Sequence, residues 1–202
     1  MIGNDVVDLG DAECLPGACH PRFDARVFCP SELALLSGST EPDRTRWVLW
    51  AAKESAYKAA RRLDPRTVFS PPRFVVELHG YDSATVTAGG RYFSVDLVAT
   101  CDYVHAVAYT GGASAAHSCI AVARLSVNAR GQGPDRPSAA ARKIALETLT
   151  RVLRVAPAEL TICCDGRDRR IPALCLGANR GLTALSLSHH GRFVAFACAL
   201  PS

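Results

Sequence analysis

The stretch that most limits how this chain can fold is Trp47–Arg62, W-V-L-W-A-A-K-E-S-A-Y-K-A-A-R-R. Its pattern predicts a helix with Thr40 as cap, Pro42 in the first turn and Asp43 three residues after the cap. The helix should stop at Leu63, because Asp64 precedes Pro65 and is pushed out of the α region. At about 100° per residue, Leu49, Ala52, Ala56, Ala59 and Leu63 share one face. A face made mostly of alanine lets a helix come unusually close to a sheet.

The opposite face carries Trp47, Trp50, Ala51, Glu54, Lys58 and Arg61. Glu54 and Lys58 stand four apart in the favourable order, which as a plain surface ion pair is worth about 0.2–0.5 kcal/mol. The sharper alternative is a carboxylate and an ammonium held side by side over a site. The two tryptophans beside them need a cover.

With 202 residues, 49% hydrophobic and 21% charged, the chain suits one domain or two small halves sharing an interface. A net charge of +4, from 23 basic and 19 acidic residues, is too mild to argue for nucleic acid but suits an anionic small molecule or an acidic partner. The nine cysteines form no C-x-x-C, which points to buried, reduced thiols in a cytoplasmic protein. Cys14, Cys19, Cys29 and His20 match no standard zinc spacing. The N-terminus is acidic at once, unlike a secretory signal, and no apolar run approaches the ~20 residues needed to span a bilayer.

Ile2–Leu9 alternates as a strand, with Gly3, Asp5, Val7 and Leu9 on one half-buried face, while Asp8 before Gly10-Asp11 has the look of a turn former. Ser31 can cap a short helix through Leu36. After the central helix, Arg73–His79, Ala84–Ala88, Arg91–Ala99 and His105–Thr110 are strands, with a hairpin signal at Gly89-Gly90. Thr110–Ala116, T-G-G-A-S-A-A, is the expected joint between a first lobe, 1–112, and a second, 113–202. In the second lobe, Ser118–Val127 is a strand, Arg130–Pro137 a loop, and Ser138 caps a helix over Ala139–Val155. Leu160–Cys164 is a strand, G-R-D-R-R-I-P a basic loop, and Leu182–Ser188 with Arg192–Leu200 a closing hairpin around H-H-G. The order of elements is α+β, and no sequence repeat links the halves.

Two acids, Asp5 on a strand and Glu54 on a helix, offer the hard oxygen donors that Mg²⁺ takes, usually one or two per ion together with phosphate and water. Lys58 beside Glu54 could hold a phosphate oxygen as a point charge. Arg142, Arg167, Arg169, Arg170 and His189 could complete an anion site.

G-N-D at residues 3–5, followed by W-A-A-K-E-S-A-Y-K-A, resembles the paired signature of the 4'-phosphopantetheinyl transferases, G-x-D and W/F-x-x-K-E-(A/S)-x-x-K. R-V-F-C-P-S-E-L is similar to the family's R-F-F-x-x-x-E segment, and S-L-S-H-H-G-R-F-V-A-F-A to its S-(I/L)-S-H element. In the long two-lobed transferases of the surfactin-synthetase-activating type the S-H half comes first. Here G-N-D and K-E come first, as in the short holo-acyl-carrier-protein synthases, which contain one lobe. The resemblance therefore implies two similar α+β lobes in interchanged order, related by a pseudo-twofold and able to complete the site in a monomer.

It further implies transfer of 4'-phosphopantetheine from coenzyme A to a serine of an apo acyl or peptidyl carrier protein, with Mg²⁺, releasing adenosine 3',5'-bisphosphate. No nucleic acid or membrane is implied. Carried over by motif, Asp5 and Glu54 are the metal carboxylates, and Lys58 lies on the CoA diphosphate. Lys53, the first lysine of the signature, falls with the CoA-binding residues. His189 and Arg142 face CoA phosphate, Arg170 stands for the basic residue before proline, and Glu32 matches a carboxylate proposed as base. The serine proton could go to Glu32, to a metal-bound water or to Glu54. The third acid of the two-lobed enzymes is replaced by Val7, so two protein carboxylates are expected on the metal. Arg22, Arg26, Arg61, Arg62 and Arg66 are candidates for docking an acidic carrier. The alternative is a non-catalytic CoA- or carrier-binding member of the same fold.

Overall fold

A computed structural model of the chain describes residues 1–110, 118–124, 137–165, 168–177 and 180–199. Two antiparallel five-stranded sheets carry the fold, β1 (Ile2–Asp8), β2 (Val75–Leu78), β3 (Ser83–Ala88), β4 (Arg91–Ala99) and β5 (Tyr103–Tyr109) in one. The other holds β6 (Ser118–Arg124), β7 (Leu160–Asp165), β8 (Asp168–Leu176), β9 (Arg180–His190) and β10 (Phe193–Ala199). Their strand orders, β1-β5-β4-β3-β2 and β6-β10-β9-β8-β7, are the same topology: a strand, a helix, then a meander whose last strand returns beside the first. The two-lobed α+β architecture is thus a repeat of topology without a repeat of sequence. Of the joint expected at Thr110–Ala116, all beyond Thr110 lies outside the described residues.

In the first lobe, α1 (Phe23–Val27) and α2 (Pro30–Gly38) precede α3 (Pro42–Leu63), which lies across β1, β5 and β4. Leu49, Ala52, Ala56 and Ala59 are fully buried, as the alanine face predicts. The helix begins later than expected. Glu41, with no side-chain cap bond, replaces Thr40 at the N-cap, because Pro42 at the first position fixes the helical φ there. Likewise Cys29, ahead of Pro30, replaces Ser31 at the start of α2. Pro71–Arg73 forms a 3-10 turn, so β2 starts only at Val75. Gly89 and Gly90, both at positive φ, make the hairpin turn between β3 and β4.

The tryptophans find their cover from the segments flanking α3. Phe23 lies 5.7 Å from Trp47 and 5.6 Å from Trp50, and Phe69 stacks near Trp50 and Tyr57. Trp47 donates to the carbonyl of Cys14 at 3.3 Å. They serve the first lobe's core, where Trp47 is buried and Trp50 packs against it.

In the second lobe, α4 (Pro137–Leu153) packs Ala145 and Leu149 on β9 and β10, and Ser138 falls inside the helix instead of capping it. The basic stretch expected as a loop contributes Asp168–Pro172 to β8, a strand hidden from sequence by its charges and by Pro172, which sits opposite Cys164 beside a register shift. Cys163 and Cys175 are joined by a disulfide across β7 and β8, so not all cysteines are reduced. Of the free ones, Cys101 and Cys164 are exposed, and Cys14, whose thiol burial pushes up to about 12, fits the expected inert role.

Strand β1 is buried on both faces, not the half-buried strand its alternation suggests. Gly3, Asp5 and Val7 turn toward α3, while Ile2, Asn4, Val6 and Asp8 turn toward β9 and β10 of the other lobe. Ile2 packs with Val107 and Ala197, and Val6 with Phe193 and Ala195. Arg62, expected among the docking cations, is instead a buried clasp: its guanidinium donates to the carbonyls of Pro172 at 2.9 Å and of Leu185.

Candidate functional site

Where β1 crosses α3, the chain brings three of its expected site residues together. Gly3 carries no Cβ, so α3 can approach until the Ser55 carbonyl and the Ala59 amide occupy the space a side chain would fill. That crossing sets Asp5 against the middle of α3. The Lys58 ammonium reaches the Asp5 carboxylate at 2.7 Å and the Asn4 carbonyl at 3.0 Å. Thus the ion pair of Lys58 is with Asp5, not with Glu54 four residues earlier on its own helix.

Glu54 completes the group. Burial pushes its carboxyl up from 4.5 to about 7, the negative charge of Asp5 adds to the rise, and Lys58 opposes it. Two carboxylates facing one ammonium, which already rests on Asp5, are a donor set suited to a divalent cation. Mg²⁺ would be held by Asp5 and Glu54. Val7, in the place of a third acid, is apolar and buried.

Asp8 takes no part in this. Arg192 donates to its carboxylate from the backbone at 2.8 Å, from Nε at 2.9 Å and from Nη2 at 2.6 Å, and Gly10 adds a fourth bond at 2.9 Å. The Arg192 hydrogen bond holds the Asp8 carboxyl down at about 2, so its contribution to stability is whole above 3.8 and lost as pH falls through about 2.

Two other expected site residues, Lys53 and Glu32, are closed into a buried ion pair. Lys53 is 0% and Glu32 1% exposed, and they face each other at 2.7 Å. Lys53 spends its other donors on the carbonyls of Pro71 and Phe74, and Glu32 accepts from the amides of Cys29 and Val76. An ammonium with three protein acceptors has none left for CoA phosphate, and a carboxylate so engaged is out of reach of a substrate serine. Together they tie α2, α3 and β2. Lys53→Met is expected to lower stability by about 3–5 kcal/mol, since it leaves the Glu32 charge buried alone. An unchanged urea midpoint would show that the pair does not carry this load.

His189 and Arg142 stand apart from the three. Ser186, Ser188 and His190 point from β9 to β1, so His189 between them points to the opposite, α4 side, where it is exposed and Arg142 half-buried. Among the described residues no hydrogen bond or ion pair joins His189 or Arg142 to Asp5, Glu54 or Lys58. Arg170 falls in β8 but its side chain, like all of Arg167, lies outside the described residues. Two concavities of the first lobe also lie elsewhere. One is lined by Leu35, Arg44, Val48 and Tyr81, the other by Asp64, Ser70, Arg73 and Arg91.

What the motif S-L-S-H-H-G does for the fold is to cover an edge. β1 ends its sheet, and side chains of β9 accept its outward amides, Asn4 N to Ser186 Oγ at 2.9 Å and Asp8 N to His190 Nδ1 at 2.9 Å. Ser186, Ser188 and His190 alternate on the face of β9 that meets β1. Asp11, Glu13 and His190 also hold their donor atoms within 4.8 Å of one another. A neutral imidazole accepting at Nδ1 carries its proton on Nε2, so His190 meets these acids as a donor and has no free lone pair for a metal.

The profile of the 4'-phosphopantetheinyl transferase superfamily matches residues 1–110, more than half of the 202. The chain belongs to that superfamily, which makes it a transferase whose general chemistry is phosphopantetheinyl transfer. The match covers the first lobe, with Asp5, Glu54 and Lys58 inside it. No curated protein matches the chain in sequence.

Proposed function

We propose that this protein moves 4'-phosphopantetheine from coenzyme A to a serine of an apo acyl or peptidyl carrier protein, releasing adenosine 3',5'-bisphosphate. The observation that carries the reading is the convergence of Asp5, Glu54 and Lys58 at the crossing of β1 and α3. Mg²⁺ on Asp5 and Glu54 would supply Lewis-acid polarisation of the diphosphate. Lys58 would neutralise charge on the transferred phosphoryl group. With Glu32 closed into its ion pair, Glu54 is the carboxylate from the sequence candidates left at the crossing to take the serine proton.

His189, Arg142 and Arg170 would hold the CoA phosphates from the second lobe, which we take to begin at residue 113, and the exposed Arg22, Arg26 and Arg66 would meet an acidic carrier. One chain would form the whole site, as a monomer working in the cytoplasm. Among the described residues no helix is long and apolar enough to cross a membrane.

The test is incubation with CoA, Mg²⁺ and several apo carrier proteins, followed by intact-mass spectrometry for the phosphopantetheinyl adduct. The expected result is an adduct that disappears when EDTA replaces Mg²⁺. CoA binding without an adduct on any carrier would favour a non-catalytic binding member of the fold.

A further inference from the structure

Asn4, the middle residue of G-N-D, engages all but one of its polar groups where β1 meets α3, β5 and the second lobe. Its amide donates to Ser186 Oγ at 2.9 Å and its carbonyl accepts Lys58 Nζ at 3.0 Å. Its side-chain Nδ2 donates to Ser188 Oγ at 2.9 Å and faces His105 Nε2 at 3.2 Å. The residue is fully buried, with His105, Ser186 and Ser188 buried around it. Its Oδ1 finds no partner among the described residues. A buried amide left half-satisfied is costly, and an apolar side chain in its place would pack more cheaply.

We propose that Asn4 is a positioning residue, which fixes the Lys58 ammonium and the neighbouring Asp5 by bolting β1 to Ser186 and Ser188 of the second lobe and to His105 of β5. This rests on the reading of Lys58 as the diphosphate lysine. Asn4 touches no substrate; it acts through the place of its own carbonyl and of the next residue. The bond from Nδ2 requires an unprotonated Nε2 on His105, hence the tautomer with the proton on Nδ1. Burial and the Lys58 charge hold that ring neutral, with its titration lowered to about 4.

Asn4→Ala and the milder Ser188→Ala test this in the full chain. Asn4→Ala is expected to weaken CoA binding, measured by calorimetry with Mg²⁺, about tenfold. In the same variant the ¹H–¹⁵N signal of the Lys58 ammonium should shift and the His105 ring should lose its single tautomer. Ser188→Ala should move the same signals less and weaken CoA binding about threefold. A role limited to stability would lower the melting temperature while leaving CoA affinity per folded molecule and the Lys58 signal unchanged, and would overturn the proposal. If Asn4→Ala does not fold, the Ser188→Ala signals decide alone. Absence of CoA binding by the unaltered protein would defeat the functional reading, while the Lys58 and His105 signals would still report on Asn4.

Discussion

Glu54→Gln is expected to abolish transfer and at the same time make the metal-free protein more stable at alkaline pH. Removing a partner of a metal ligand already costs about 10–100-fold in affinity or activity, so losing a ligand should cost more than about 100-fold. The stability gain follows from the pKa. Burial and Asp5 raise the Glu54 carboxyl from 4.5 to about 7, so the folded protein holds this proton more tightly than the unfolded chain does. The associated stability is whole below pH 4.5 and lost as pH rises through about 7. Above that, the ionised carboxylate strains the fold by up to about 3 kcal/mol. Glutamine never ionises, so the variant and the parent should melt alike at pH 4.5 and diverge by pH 8, the variant higher. Mg²⁺ should raise the melting temperature of the parent at pH 8 and leave the variant unmoved, because only the parent binds it. A variant that keeps its Mg²⁺ response would remove Glu54 from the metal site.

Gly3→Ala is expected to be the most damaging single methyl in the first lobe. An alanine Cβ at that position would overlap the Ser55 carbonyl oxygen, come within 2.5 Å of the Ala59 nitrogen and stand 3.0 Å from Lys58 Cβ. The first two are helix backbone and cannot swing aside, so β1 and α3 must separate. Overpacking of a core costs about 1–3 kcal/mol when side chains can adjust, and here the cost should reach or exceed the upper figure. Prising α3 off β1 also pulls Glu54 and Lys58 from Asp5, so any folded remainder should lose Mg²⁺-dependent stabilisation. Gly38→Ala, at the end of α2 with open space around it, is the control and should change stability by less than about 1 kcal/mol. Equal melting of the two variants would mean that the close crossing does not hold the lobe together.

The central helix and its alanine face were legible because a 3.6-residue period survives any tertiary context. So was the partner strand, with Gly3 and Asp5 on one side of it. Residue pattern also named the acids and the lysine, since G-x-D and K-E-x-x-x-K put hard oxygen donors and a cation where two elements can meet. What it could not give is which charges are buried against one another. Lys53 and Lys58 sit five residues apart in one helix and look equally able to reach a phosphate. One is enclosed by Glu32 and two carbonyls, and the other stays partly exposed on Asp5 where β1 crosses α3. Arg62, likewise, reads as a surface cation and becomes a clasp on the second sheet.

The second lobe shows the same limit more strongly. Pro172 and the charges before it hide β8, and only pairing to β7 and β9 makes a strand of that segment. Similarly, S-L-S-H-H-G carries no local sign that two of its hydroxyls and an imidazole cover the edge of a strand some 180 residues earlier. Period and composition act over a few neighbours and so fix the elements and the chemistry available. Partner choice is made by surfaces distant in sequence, and that choice closed Glu32 and Lys53 on each other while bringing Asp5, Glu54 and Lys58 together where β1 crosses α3.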